Sequence, residues 1–282
     1  MFRPVVSRFI AGESLDEAMK VGEELAASGF GVSLDLLGEN VSSVEEADQS
    51  TDAYIEVIEK IAKSPYKGQI NISIKLTALG LDQGADIAEK NYRRLLESAH
   101  PHGIFIRADM EGSAYTERTV ALVEQVFKDY CNTGTVLQSY LYRTDADIER
   151  LLKLGCRVRI VKGAYLEPVS VAHQAKSVVD SQYEEHAQKL MLRGKYPAIA
   201  THDEAIVRRL IAFATERGLP PGSYEWQMLF GIRRDLQQEL LDAGHKVRIY
   251  VPYGQAWYPY FTRRLAERPA NVFFILKSLL KK

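Results

Sequence analysis

The chain has 282 residues, of which 46% are hydrophobic and 26% charged, so it contains enough apolar material for one large domain or two small ones. Its formal net charge of −1 leaves no excess of basic residues to neutralise phosphates, so neither nucleic acid nor an acidic membrane is implied as a main partner, and small neutral or zwitterionic ligands remain open. The two cysteines, Cys131 and Cys156, form no C-x-x-C pattern and are interpreted as buried free thiols.

Short runs rich in β-branched residues recur along the chain, and each is followed by a longer segment with helical spacing of its apolar positions. The eight runs lie at 31–37, 70–76, 103–109, 135–141, 157–162, 197–202, 224–230 and 246–252. Eight strand-then-helix units predict an α/β protein with a single (βα)8 TIM-like barrel. A doubly wound sheet is the competing fold, but the first run ends in Leu36-Leu37-Gly38-Glu39-Asn40, without the G-x-G-x-x-G turn typical of that fold.

Three of the intervening segments carry start and stop signals for helices. Ser43-Val44-Glu45-Glu46 is predicted to form a capping box, Thr144 to Asp147 open a second helix that ends at Gly155, and Asp203 caps a third that ends at Gly218. The residues predicted to face inward are Tyr54, Ile55, Ile58 and Ile61 in the first, Ile148, Leu151, Leu152 and Leu154 in the second, and Ile206, Val207, Leu210 and Ile211 in the third.

No linker interrupts this alternation, so one domain is predicted over residues 1–282. It divides into an N-terminal helical segment (1–30), whose helix precedes the first strand, the catalytic barrel (31–271) and a C-terminal helix (272–282).

Polar side chains close each predicted strand. Active sites of eightfold barrels lie at the carboxyl ends of the strands, so these residues are candidates for one site, with structural salt bridges bracing the rim as the alternative. They are Asp35, Glu39, Lys75, Arg107, Asp109, Gln138, Tyr140, Arg159, Lys162, Thr201, His202, Gln227 and Tyr250.

The segment after the last predicted strand is predicted to form a helix with polar side chains along one face. Tyr260, Arg263, Arg264 and Glu267 are spaced for one side of a short helix that ends at Pro269. Arginine binds carboxylates in bidentate fashion, so this helix is predicted to carry a clamp for a small carboxylate substrate. A solvated helix with an Arg263–Glu267 pair is the alternative.

The same set of polar residues is compatible with other chemistries. The His100-Pro101-His102 motif precedes the third strand and therefore lies at the end of the barrel opposite the site, so no metal site is predicted. Lys75 and Lys162 at strand ends would suit a Schiff-base aldolase. A barrel kept as a non-catalytic binding module is the third reading.

Seven ordered segments resemble the conserved segments of proline dehydrogenase, over about Gly31 to Asn271. They are IRADMEG (106–112), VLQSYL (136–141), RIVKGAY (159–165), ATHD (200–203), YEWQMLFG (224–231), RIYVPYG (248–254) and YFTRRLAERPAN (260–271). The resemblance implies an FAD enzyme that oxidises L-proline to 1-pyrroline-5-carboxylate by hydride transfer to flavin N5, the first step of proline degradation to glutamate. It further implies that the electrons pass to a quinone.

The resemblance also implies roles for individual residues. Asp109, Arg159 and Tyr250 would be catalytic, with Arg159 close to flavin N5. The FAD contacts would be Met110, Gln138, Arg159, Lys162, Gly163, Ala164, Thr201 and His202. The substrate contacts would be Lys75, Ala164, Leu229, Tyr260, Arg263, Arg264 and Glu267.

Location and partners follow from the two ends of the chain and from the family. The N-terminus has no secretion signal, and no run of 18 apolar residues occurs, which predicts a cytoplasmic protein. The final stretch from Asn271 is predicted to pack on the barrel, with peripheral contact at the inner face of the membrane as the alternative. The family implies hand-over of the product to a glutamate semialdehyde dehydrogenase.

Overall fold

The computed structural model describes residues 8–258 together with Tyr260 and Thr262. In this part of the chain eight parallel strands close into a barrel in chain order, and the first strand pairs with the last. The strands are β1 (Gly31–Leu36), β2 (Ile70–Ile74), β3 (Ile106–Ala108), β4 (Thr133–Gln138), β5 (Arg157–Val161), β6 (Ala198–Ala200), β7 (Glu225–Leu229) and β8 (Lys246–Tyr253). The predicted eightfold barrel is confirmed.

Helices surround this barrel, one before β1 and one after each of the first seven strands. They are α1 (Leu15–Ala27), α2 (Val44–Lys63), α3 (Ala85–Ala99), α4 (Ser113–Phe127), α5 (Thr144–Leu154), α6 (Lys176–Arg193), α7 (Glu204–Glu216) and α8 (Arg234–Asp242). The helix predicted before the first strand is therefore confirmed. The predicted C-terminal helix (272–282) lies outside the described residues. None of the described helices combines the length and low charge needed to span a bilayer.

Strand β3 begins three residues later than the sequence pattern predicts. His100–His102 form a 3-10 turn, and Gly103 leaves that turn in the left-handed conformation with φ 66°. Glycine adopts this conformation without steric cost, so the chain turns here before it can extend. The H-x-H motif lies in this turn, at the amino end of the barrel as predicted.

The predicted helix signals are confirmed with two corrections, and a third correction concerns the predicted burial of the cysteines. Ser43 caps α2 by accepting from the backbone N–H of Glu46, but the Glu46 carboxylate accepts from the N–H and hydroxyl of Ser42, so the return half of the capping box is one residue earlier. Leu154 is 36% exposed, because it is the last residue of α5, where the helix leaves the barrel wall. Cys131 is exposed and only Cys156 is buried.

The interior of the barrel is polar toward its amino end. Arg248 forms an ion pair with Glu225 at 3.0 Å and donates to the backbone oxygens of Val32 and Gln69. It therefore connects β8 with β7, with β1 and with the residue that precedes β2. Although burial opposes ionisation, Arg248 lowers the pKa of Glu225 below its ordinary value.

Arg107 belongs to this amino-end layer, so the prediction that it lies on the catalytic rim is wrong. Its guanidinium donates to the backbone oxygens of Thr135 and Arg157 and lies 4.9 Å from the centre of the Phe105 ring. Side chains two residues apart in a strand face the same interior but different layers, and Arg107 is one layer below Asp109. Burial and the charge of Arg159 lower the pKa of Arg107 to about 9.

Candidate active site

A cavity of about 490 Å³ opens at the carboxyl ends of the strands. Every described residue that the family resemblance assigns to the site lines it: Lys75, Asp109, Met110, Gln138, Arg159, Lys162, Gly163, Ala164, Thr201, His202, Leu229, Tyr250 and Tyr260. Of the remaining strand-end candidates, Asp35 and Gln227 also line the cavity, whereas Glu39, Arg107 and Tyr140 do not. The barrel thus brings together residues that are far apart in the sequence.

Arg159 is the fixed cation at the floor of this cavity. Its Nη1 donates to Asp109 Oδ1 at 2.7 Å, its Nη2 donates to Ser73 Oγ at 3.2 Å, and its Nε donates to Gln227 Oε1. The guanidinium carbon lies 5.2 Å from the centre of the Tyr250 ring. A guanidinium held by three side chains and an aromatic face cannot rotate freely, so its charge has a defined position.

Tyr250 shares Asp109 with Arg159. Its hydroxyl donates to Asp109 Oδ2 at 2.7 Å, so each oxygen of that carboxylate has a partner. Burial raises the pKa of Tyr250 well above its ordinary value, and the Asp109 charge acts in the same direction. Tyr250 is therefore a neutral hydrogen-bond donor at physiological pH.

Lys75 and Asp35 form a second ion pair at the cavity floor. Lys75 Nζ lies 2.8 Å from Asp35 Oδ1, and the Asp35 side chain is fully buried. Burial disfavours the charge on Lys75, but Asp35, Tyr54 and Asp109 together outweigh burial and raise the pKa of Lys75 above its ordinary value. Lys75 is thus a protonated lysine with three donors, of which Asp35 takes one.

The wall between β4 and β5 depends on a glycine. Gly163 has φ 135°, and a Cβ added there would overlap the ring of Tyr140. The next residue, Ala164, donates its N–H to Gln138 Oε1 at 3.4 Å, while Gln138 Nε2 donates to the backbone oxygen of Glu111 at 3.0 Å. The chain after β5 therefore bends across the cavity with its backbone close to the space inside.

A cluster of charges borders the cavity next to this wall. Lys162 Nζ lies 2.5 Å from Asp180 Oδ1 and 3.2 Å from Asp203 Oδ2, and Asp180 also pairs with Lys176. Sequence reasoning missed Asp180 and Lys176, because they belong to α6 and no strand-end pattern points to them. The two aspartates hold Lys162 at the rim.

His202 and Thr201 connect the ends of β6 and β7. His202 Nε2 accepts from the backbone N–H of Leu229 at 2.9 Å, so the neutral ring carries its proton on Nδ1. Thr201 Oγ1 accepts from the N–H of Asp203 at 3.1 Å. These contacts fix both polar side chains beside the Leu229 side chain, which lines the cavity.

Three residues of the predicted clamp, Arg263, Arg264 and Glu267, lie outside the described residues. Tyr260, which precedes them, is 7% exposed and lines the cavity. The chain that leads to the predicted clamp thus starts at the cavity itself.

The lining suits an organic group with both flat apolar and anionic parts. Met110, Val136, Val161, Met228 and Leu229 provide apolar surface, while Arg159, Lys75 and Lys162 provide cations. Within residues 8–258, Tyr260 and Thr262, no group of three histidine, cysteine or acidic side chains is arranged to hold a metal ion. The residues available for a cofactor are therefore cations, amides, hydroxyls and open backbone.

Comparisons with known proteins identify the family of this chain. The model of the family described as proline dehydrogenase matches residues 18–277. Proline dehydrogenase 1 of Bacillus subtilis subsp. natto is 38% identical over 275 residues, which cover 98% of this chain and 90% of that protein. The proline dehydrogenase of Deinococcus radiodurans is 38% identical over 280 residues, covering 98% of this chain and 90% of that protein.

Solved structures show the same barrel. Proline utilization A (PutA) from Bdellovibrio bacteriovorus, inactivated by N-propargylglycine, superposes with a TM-score of 0.87 at 26% identity. The alignment covers 93% of this chain but 32% of that protein, so the chain spans about a third of it. By sequence and by fold, this chain is an enzyme of the proline dehydrogenase family.

Proposed function

We propose that this protein is an FAD-dependent proline dehydrogenase that oxidises L-proline to 1-pyrroline-5-carboxylate, the first step of proline degradation to glutamate. The proposal rests on the fixed Arg159 guanidinium at the floor of a cavity that is also lined by the backbone at Gly163 and Ala164. A buried cation next to accessible backbone is the arrangement that a redox cofactor with developing negative charge requires.

The cavity fits a flavin by its chemistry. The backbone at Gly163 and Ala164 lines the cavity without a large side chain, because the Cβ direction of Gly163 faces the Tyr140 ring and Ala164 carries only a methyl group. We assign Met110, Gln138, Arg159, Lys162, Gly163, Ala164, Thr201 and His202 to the FAD site. Bound FAD supplies an acceptor for two electrons in the form of a hydride.

The substrate would bind through its carboxylate. Lys75 has two further donors at the cavity floor that no other described residue accepts, and we assign Arg263, Arg264 and Glu267, which lie outside the described residues, to the same anchor. The side chains of Ala164, Leu229, Tyr250 and Tyr260 limit the remaining space to a small ring. Anchoring the carboxylate fixes the position of the ring carbon on the other side of the nitrogen, the C5 atom of proline. The hydride leaves from this carbon.

Asp109 acts through Arg159 and Tyr250, because each of its oxygens binds one of them. Oxidation of a neutral proline amine breaks the C–H bond next to nitrogen, and the nitrogen lone pair forms the C=N bond as the hydride leaves. The N–H proton is then lost to solvent. Side chains of fixed charge orient this step without accepting the proton themselves.

Partners beyond proline belong to the same proposal. We assign a quinone as the electron acceptor and a glutamate semialdehyde dehydrogenase as the recipient of the product. The bifunctional protein PutA of Escherichia coli, 28% identical over 317 residues that form 24% of its length, supports a link to a second activity by its name. Peripheral membrane contact stays a prediction for the segment after Asn271.

One experiment tests both the binding of FAD and the role of Arg159. Protein reconstituted with FAD is expected to absorb at about 450 nm and to lose this absorbance when L-proline is added without oxygen. Arg159→Met is expected to slow the bleaching by about 100-fold or more, because a fixed charge at the reacting centre is removed. Arg157→Met is the matched control, since Arg157 lies in the same strand but stacks on Phe105 and Tyr196 at the amino end.

Two outcomes would contradict the proposal. Protein that carries FAD but shows no bleaching with L-proline would favour a non-catalytic barrel. A covalent adduct at Lys75 or Lys162, trapped by borohydride in the presence of a carbonyl compound, would favour the Schiff-base aldolase.

A further inference from the structure

Asp35 is a buried carboxylate at the cavity floor, and one of its two oxygens binds Lys75. Its side chain is fully buried, and it lines the cavity from the end of β1. Oδ1 accepts from Lys75 Nζ at 2.8 Å, while Oδ2 has no hydrogen-bond partner among the residues that the structure describes. A buried carboxylate is costly unless it is paired, so its presence requires an explanation.

Bracing of the barrel does not explain this pair. The ion pair at the amino end, Glu225 with Arg248, also ties down two backbone oxygens of neighbouring strands. Lys75 Nζ, in contrast, makes its one described hydrogen bond to Asp35, and both side chains border the cavity. The Asp35–Lys75 pair connects only the neighbouring ends of β1 and β2, ties down no backbone oxygen and faces the cavity, so it is placed to act on what the cavity binds.

We propose that Asp35 is a positioning residue for substrate binding, which holds Lys75 Nζ at the cavity floor so that its two remaining donors meet the substrate carboxylate. This inference rests on the proposed proline oxidation for the identity of that carboxylate. Without Asp35, a lysine this deeply buried would lose its proton more easily and its side chain would be free to change rotamer.

The same contact keeps Lys75 charged. Burial alone lowers the pKa of a lysine, and of the neighbours that raise the pKa of Lys75 instead, Asp35 contributes most, followed by Tyr54 and Asp109. Removal of the negative charge at Asp35 should therefore make substrate affinity fall as pH rises, since Lys75 loses its proton in the alkaline direction.

The test measures binding by calorimetry, so that it does not depend on turnover. The probe is tetrahydro-2-furoate, a ring carboxylate that has no amine to oxidise, added to the FAD-loaded protein. Asp35→Asn is expected to raise its Kd about tenfold at pH 7 and further at pH 9, because a charge-assisted contact becomes weak. Asp35→Glu, which keeps the charge, is expected to restore a Kd that does not change over this pH range.

A double variant asks whether Asp35 acts through Lys75. Lys75→Met is expected to bind the probe as weakly as the double variant Asp35→Asn/Lys75→Met, because the positioning residue has nothing left to position. This comparison stands even if Asp35→Asn alone fails to fold, since the double variant leaves no buried charge unpaired. Asp147→Asn is the matched control. Asp147 lies on α5, away from the cavity, and is a similarly buried acid that pairs with Arg143, the residue directly before that helix.

The outcomes separate this inference from the proposed function. A folded Asp35→Asn protein that binds the probe as tightly as the wild type at both pH values overturns the inference alone. A double variant that binds more weakly than Lys75→Met also overturns it, because Asp35 would then act independently. Wild-type protein that does not bind the probe overturns the proposed function and this inference with it.

Discussion

Gly163 decides the shape of the cavity wall at the scale of one residue. Its φ of 135° lies in a region that side-chain-bearing residues rarely adopt, and the Tyr140 ring occupies the place of a Cβ. Lys162 and Ala164 on either side both line the cavity. One backbone conformation therefore sets the direction of two neighbouring candidates for cofactor binding.

Replacement of Gly163 by alanine is expected to cost about 1–3 kcal/mol of stability and to lower the FAD content of the purified protein. The methyl group must displace Tyr140 or change the backbone, and either change moves the wall. Urea unfolding and the flavin-to-protein absorbance ratio measure the two effects. Gly112→Ala is the control, because its added Cβ meets only the Glu167 carboxylate at ordinary contact distance. Normal FAD content in Gly163→Ala would contradict the assigned role.

The sequence alone could predict most cavity residues, because position at a strand end specifies a place in a barrel. It failed for Arg107, since side chains at 107 and 109 face the same interior and only the tilt and register of β3 decide which layer each reaches. It also gave no signal for Asp180, which reaches Lys162 from a helix. The pairing of Asp35 with Lys75 depends on the register between β1 and β2, which no local pattern contains.

At the start of α2, the predicted position of the helix end is correct, but the capping hydrogen bonds differ from the predicted ones. The stretch from Ser43 to Glu46 is predicted to form the capping box. Ser43 does accept from the N–H of Glu46, but the N–H that donates to the Glu46 carboxylate is that of Ser42. The pattern of apolar residues fixes where the helix begins to within a residue or so. The choice between adjacent serines depends on side-chain rotamers that the pattern does not specify.

Ser43→Ala is expected to lower the free energy of unfolding by about 1 kcal/mol, because the backbone N–H of Glu46 loses its acceptor at the first turn. The midpoint of urea unfolding measures this change. Ser50→Ala within the same helix is the control and is expected to stay within about 0.5 kcal/mol of the wild type, since alanine suits a helix interior. Equal effects of the two substitutions would show that Ser43 does not act as a cap.

At the scale of the whole molecule, closure of the barrel creates the site. Strand β1 pairs with β8 from Gly31–Arg248 to Leu36–Tyr253, which joins the two ends of the barrel sequence. Because all strands are parallel, closure gathers every carboxyl end at one mouth. The regular alternation of strands and helices made this architecture predictable, whereas the side-chain contacts across the mouth form only between distant segments.

The stability of the whole fold is expected to fall as pH drops from about 7.5 to 5.5, in part through His186. This side chain of α6 is buried, and its Nδ1 has no partner among the described residues. Burial lowers the pKa of His186 below the ordinary 6.5, although Asp145 opposes the shift. The unfolded chain therefore binds a proton at a higher pH than the folded protein does, and acid favours unfolding.

His186→Gln removes this proton site, so its free energy of unfolding should change less over the same pH range. His245, whose pKa burial also lowers, keeps part of the dependence in that variant. Urea unfolding at pH 7.5, 6.5 and 5.5 measures the slopes, and the range stays above the pH at which ordinary carboxylates titrate. His102→Gln is the matched control, because His102 lies exposed in the turn before β3 and should leave the slope as in the wild type. A slope that His186→Gln leaves unchanged would mean that His186 accepts its proton as readily in the folded barrel as in the unfolded chain.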